Sequence, residues 1–226
     1  MHLSLLSLSG MFAVVLAHGN VTQPPARVPG PAMAKACGQD AVKAVLEDGT
    51  TPLEDVFDEG VAPPATCKLN VCRGALYEDN KDRLQTWTPG QVVNVRAILP
   101  VLHEGPMNMS IISSATNKVI GAPLISFKVY ASDKVDTVPA NNTNFNITIP
   151  ATLGKDGTCT KPGDCFVQWF WFGTSAKQTY ESCIDFVVGA GAANASTSAA
   201  PGKPSAPAST RRRRYTPSRL FDRASK

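Results

Sequence analysis

Two histidines, a tyrosine and a glutamine are the residues of this 226-residue chain whose types and spacing offer chemistry. Residues 3–17, LSLLSLSGMFAVVLA, form an apolar run too short to span a bilayer. The run ends with Val15 and Ala17 at the small-residue positions of a secretory cleavage site, although the segment before it carries only His2 and no Lys or Arg. Cleavage after Ala17 would make His18 an N-terminus with two nitrogen donors, the α-amine and the ring. The mature chain then holds one other histidine, His103, in Leu102-His103-Glu104-Gly105, where a turn after a strand leaves the ring at a rim. Gln178 and Tyr180, two apart in the extended stretch QTYESC, project to the same side. Three nitrogen donors in a plane, two from His18 and one from His103, suit Cu(II), and imidazole also tolerates Cu(I). One redox-active copper ion is the expected cofactor, bound as the amine loses its proton, with the Tyr180 hydroxyl at an axial position. Alone, His103 would read as an ordinary surface histidine. His18 changes that reading.

The elements that must hold these residues read as short strands. Thr88-Pro89-Gly90-Gln91 is a turn, followed by an extended stretch through Val92, Val93, Val95, Ala97 and Leu99. MNMSIIS (107–113), VIGAPLISFKVY (119–130) and TNFNITIP (143–150) follow, the last placing Phe145, Ile147 and Ile149 on one face. CFVQWFWF (165–172) is nearly all apolar, as a strand buried between sheets should be, and CIDFVV (183–188) is the last strand. The pattern predicts an all-β sandwich with a long excursion over 38–82, in which QDAVKAVLEDG is a short helix. Trp87, Trp169 and Trp171 are expected in the core rather than on a sugar-binding face.

Composition sets the boundaries. From Gly189 the sequence becomes a Gly/Ala/Ser/Pro stretch and then RRRRYTPSRLFDRASK, which has too little apolar surface to offset its ordering entropy. The expected organisation is therefore a signal peptide 1–17, a domain 18–188, and a disordered linker and basic tail 189–226. Eight basic residues against Asp222 put the chain's positive charge in the tail, leaving 14 basic against 17 acidic residues elsewhere. With no interleaved aromatic platform in the domain, nucleic acid is not an expected partner. No hydrophobic C-terminal stretch suggests a membrane anchor, and the protein is expected to be a monomer.

Six cysteines in a secreted chain imply three disulfides rather than zinc, since the spacings are not the paired C-x2-C type and histidines are scarce. Proximity along the chain suggests Cys67–Cys72 and Cys159–Cys165, leaving Cys37 for Cys183. Sequons at Asn20, Asn108, Asn141, Asn146 and Asn194 are glycosylation candidates.

HGNVTQPPARVPGPAMAKACGQ (18–39) resembles the start of the auxiliary activity family sixteen lytic polysaccharide monooxygenases, copper enzymes secreted by fungi. CKLNVCRG (67–74), EDNKDRLQTWTPGQVV (78–93), GAPLISFKVYAS (121–132) and QTYESCIDF (178–186) resemble further segments of that family. The resemblance implies an immunoglobulin/fibronectin-like sandwich and a histidine brace made by the His18 amine and Nδ1 with the His103 ring. It further implies Tyr180 as axial residue and Gln178 as the residue orienting the oxygen species. The implied reaction is oxidative cleavage of β-1,4-glucan (cellulose) at C1, using O2 or H2O2 and an external electron donor. The rivals are a non-catalytic secreted copper-binding protein and a polysaccharide-binding sandwich without metal. No serine nucleophile set or phosphate-cradling loop accompanies the two histidines.

Overall fold

The computed structural model describes residues 18–189, with His18 described by its backbone only. The expected signal peptide, most of the expected tail and the Asn194 sequon lie outside the described residues. Among the described residues, eight strands make two sheets. They are β1 (His18–Gln23), β2 (Gln85–Trp87), β3 (Val92–Val101), β4 (Gly105–Ser113), β5 (Lys118–Tyr130), β6 (Asn144–Thr148), β7 (Cys165–Gly173) and β8 (Gln178–Val188). One sheet has the order β1-β3-β6 and the other β2-β8-β7-β4-β5; all pairs are antiparallel except β2 with β8. This is an immunoglobulin-like β-sandwich.

Alternation builds the inner faces. Val93, Val95 and Ala97 of β3 and Phe145 and Ile147 of β6 are buried while their neighbours face water. Val93, Val95, Phe145 and Ile147 meet Met107, Met109, Trp169, Trp171, Tyr180 and Phe186 from the larger sheet in one core. All three tryptophans are buried, as the apolar runs around them predict.

β7 is nearly all apolar, and β8 is buried along most of its length, because both of their faces are covered. The second cover is the excursion after β1, which folds as α1 (Pro31–Cys37), α2 (Gln39–Glu47) and a series of single 3-10 turns. Pro31 opens α1, and the Asp79 carboxylate accepts from the amides of Ala32 (2.8 Å) and Met33 (2.9 Å), satisfying the helix start. Beneath these helices, Met33, Cys37, Ala41, Val42 and Val45 form a second core.

β2 pairs with β8 only from Phe186 onward, so the earlier edge of β8 needs other partners. The excursion supplies them. Arg27 N–H donates to the Cys183 carbonyl (2.8 Å), Arg73 Nη2 to the Glu181 carbonyl (2.9 Å), and Thr179 N–H donates to Glu54 (2.8 Å). Arg27 also grips Asp185 through two bonds of 2.7 and 2.6 Å and lies over the Phe166 ring.

The disulfides correct two expectations. The pairs are Cys37–Cys67, Cys72–Cys183 and Cys159–Cys165; Cys37–Cys183 and Cys67–Cys72 are not formed. Cys67 packs on the second core beside Cys37, whereas Cys72 reaches the outer face of β7 and β8, against Phe166 and Cys183. Cys72 and Arg73 take positive φ, 56° and 55°, and this turn separates neighbours in sequence onto different surfaces. Among the described residues, no helix is long and apolar enough to cross a membrane.

Candidate metal centre

His103 lies on the three-residue connection between β3 and β4, and that connection is fixed from below. Trp171 Nε1 donates to the His103 carbonyl at 3.1 Å, and Thr174 N–H donates to the Glu104 carbonyl at 3.0 Å. A Cβ on Gly173 would stand 2.8 Å from His103 Cβ, and one on Gly105 would run into the Phe172 carbonyl oxygen. Only glycines let the two backbones approach this closely. Glu104 anchors the neighbouring loop, accepting from Lys134 Nζ (2.7 Å) and Ser132 Oγ (2.5 Å). Partial burial lowers the His103 pKa below its ordinary value, opposed by the Asp133 carboxylate. The ring is thus neutral at neutral pH, the form that binds metal.

β1 begins at the same end of the sandwich. His18 is the Cα partner of Val101, two residues before His103. Gly19 lies flat on the indoles: a Cβ there would come within 2.9 Å of Trp171 Cζ3 and 3.1 Å of Trp169 Cη2. The His18 ring, and with it the expected approach of the two imidazoles, lies outside what the structure describes.

Tyr180 pairs with Trp171 across β7 and β8, and their rings stack with centroids 4.4 Å apart. Trp171 therefore touches every part of the region: Gly19 on one side, Tyr180 on another, and the His103 carbonyl through its N–H. The Tyr180 side chain is fully buried, and its hydroxyl donates to Gln178 Oε1 at 2.9 Å. Burial pushes its pKa well above the ordinary value, and the carboxylates of Asp55 and Glu54 push it further. The phenol keeps its proton throughout the physiological range. Gln178 is half-buried at the start of β8, beside Gly173 across the strand pair.

Two acidic residues that sequence reasoning passed over sit beside this pair. In the 3-10 turn Leu53–Asp55, Glu54 accepts from both Thr179 N–H and Thr179 Oγ1 at 2.8 Å, and Asp55 Oδ2 lies 3.4 Å from Gln178 Nε2. EDVFDEG carries no motif that marks it as a neighbour of β8; only the docked excursion brings it there. On the outer face of β8, Glu181 and Arg73 are buried together, the Glu181 carboxylate accepting from Arg73 N–H at 3.3 Å.

Among the described residues, no three His, Cys, Asp or Glu side chains converge on a point. The described donors suit copper in kind: an imidazole on a rigid turn before β4 and a protonated phenol on β8, across β7 in the same sheet.

The sequon residues are spread over the fold. Asn20 accepts from Ser182 Oγ at 2.6 Å and Asn108 from Ser110 Oγ at 2.9 Å, while Asn141 and Asn146 are exposed.

No protein-family model matches the sequence, and no curated protein matches it. Solved structures similar to the chain include a lytic polysaccharide monooxygenase of Jonesia denitrificans, at TM-score 0.38 and 15% identity, covering 76% of this chain and 100% of that one. The catalytic domain of a Listeria monocytogenes lytic polysaccharide monooxygenase aligns at TM-score 0.40 and 13% identity, over 76% and 99% of the two chains. An auxiliary activity family fifteen monooxygenase of Thermobia domestica, in its Cu(I) state, aligns at TM-score 0.39 and 17% identity, over 76% and 98%.

Proposed function

We propose that residues 18–188 form a secreted, monomeric copper-dependent polysaccharide monooxygenase, activated when a signal peptidase cuts between Ala17 and His18. The observation that carries this reading is the meeting of β1's first residue, His103, Gln178 and Tyr180 at one end of the sandwich, with Trp171 packed among their elements. The resemblance of residues 18–188 to the family sixteen enzymes supports it and points to cellulose, oxidised at C1.

His18 would supply its freed amine and ring, His103 its imidazole, and Tyr180 its phenol oxygen. Before cleavage the His18 nitrogen is an amide, which cannot serve as an amine donor. Bound copper supplies the one-electron chemistry that lets O2 or H2O2, with an external electron donor, attack a strong C–H bond. Tyr180 holds its proton on Gln178 Oε1, and its stacking on Trp171 keeps the ring from turning. The Gln178 amide stands half-exposed at the start of β8, beside the Tyr180 hydroxyl, and would orient a ligand there. Residues at the end of a sandwich, rather than in a deep cleft, can be brought against a flat polymer surface.

The test uses the mature chain beginning at His18. Intact mass should show one copper ion, and cellulose with reductant should yield oxidised oligosaccharides that disappear in His103→Ala. Copper binding no tighter than in that variant, or tight binding with no product from any polysaccharide, would overturn the enzymatic reading.

A further inference from the structure

We infer that the acidic turn Leu53–Asp55 is a positioning device for Gln178 and Tyr180, with Glu54 as its anchor and Asp55 fixing which way round the Gln178 amide lies. The importance of this for catalysis rests on the function proposed above; the positioning itself does not.

The anchor is the stronger contact. Both Glu54 carboxylate oxygens are bonded to Thr179, one to the backbone N–H and one to the hydroxyl, each at 2.8 Å. Charge-assisted pairs of this kind fix geometry as well as adding energy. They occupy a stretch of β8 where β2 does not reach. With Glu54 held, its neighbour Asp55 is carried to Gln178.

At 3.4 Å the Asp55–Gln178 contact is long, but its electrostatic sense has one favourable orientation. An amide offers a donor end and an acceptor end. A carboxylate attracts the NH2 end and repels the oxygen, so Asp55 turns Gln178 Oε1 away from itself. That oxygen then accepts the Tyr180 hydroxyl proton at 2.9 Å. The result is a directed chain from the Asp55 carboxylate through the Gln178 amide to the phenol. The Tyr180 proton is committed to Gln178, and the hydroxyl oxygen keeps its lone pairs as acceptors. Reversing the amide would put an NH2 group against the phenol and reverse that polarity. No backbone group is capped by Asp55 in the described hydrogen bonds, which separates its role from the edge-capping of Glu54.

The experiment compares Asp55→Ala, Asp55→Asn and Glu54→Gln in the mature chain, first without metal. NMR of the Gln178 side-chain amide is the readout. Asp55→Ala should collapse the shift difference between the two Gln178 Nε2 protons and speed their exchange with water several-fold. The Thr179 backbone amide should stay in place. Asp55→Asn, which keeps an acceptor, should restore much of the difference, and Glu54→Gln should move Gln178 and Thr179 together. An unchanged Gln178 amide in Asp55→Ala overturns the inference. With copper added, Asp55→Ala should alter the Cu(II) electron paramagnetic resonance spectrum and lower the turnover rate several-fold at unchanged KM. A moved amide in a protein that fails to bind copper tightly would uphold the positioning and overturn the proposed function. An unmoved amide in an active copper enzyme would do the reverse.

Discussion

Glu181 follows Tyr180 on β8 and points to the opposite face, so one strand carries a buried phenol inward and a buried carboxyl outward. Burial raises the Glu181 carboxyl to about 7, despite bonds from the amides of Arg73 and Cys72 that favour its charge. Burial also lowers the Arg73 guanidinium to about 10. In the unfolded chain a glutamate titrates near its ordinary value, so between there and about pH 7 the native state holds a proton that the unfolded state has lost. The contribution of this group is favourable below that window and is lost as pH rises through it, on the order of 3 kcal/mol. Thermal unfolding of the metal-free protein, measured from pH 4.5 to 8, should therefore show Tm falling with pH. In Glu181→Gln that part of the slope should vanish; equal slopes in both proteins would show that Glu181 is not the group responsible.

At the level of elements, Cys72–Cys183 matters most, because it fastens the excursion to the strand that bears Gln178 and Tyr180. It joins residues 111 apart, against 6 for Cys159–Cys165. The chain-entropy account assigns about 5 kcal/mol to the longer closure and roughly 2 kcal/mol to the shorter. Replacing Cys72 and Cys183 together by Ala should lower Tm by about 10 °C or more, clearly more than the Cys159/Cys165 double substitution. Equal losses would mean that packing, not closure, sets the effect. The strands themselves were readable because they leave local marks: alternation in β3 and β6, a nearly all-apolar run in β7. The disulfide partners were not readable, since Cys67 and Cys72 are neighbours in the chain but belong to different cores. β1 also left little trace, for its one buried large apolar residue is Val21.

For the whole molecule, the histidine and the Gln-x-Tyr pair stood out as candidates from residue type and spacing, which tell what chemistry is on offer. What surrounds them was hidden, because Glu54, Asp55 and Asp133 are ordinary surface acids until tertiary structure sets them beside β8 and His103. The location of Trp171 has an optical consequence. Its indole lies against Tyr180 and Gly19 and bonds the His103 turn, whereas Trp87 stacks on Phe186 instead. A paramagnetic ion arriving at this end should quench the emission of Trp171 and of Trp169 beside it, and Trp87→Phe should leave the quench intact. Titrating Cu(II) into the mature chain while following fluorescence then gives an affinity without a label. A quench that vanished in Trp87→Phe would place the ion elsewhere. The same stacked ring that stiffens the rim also makes it luminous, and so would report a paramagnetic ion placed against it.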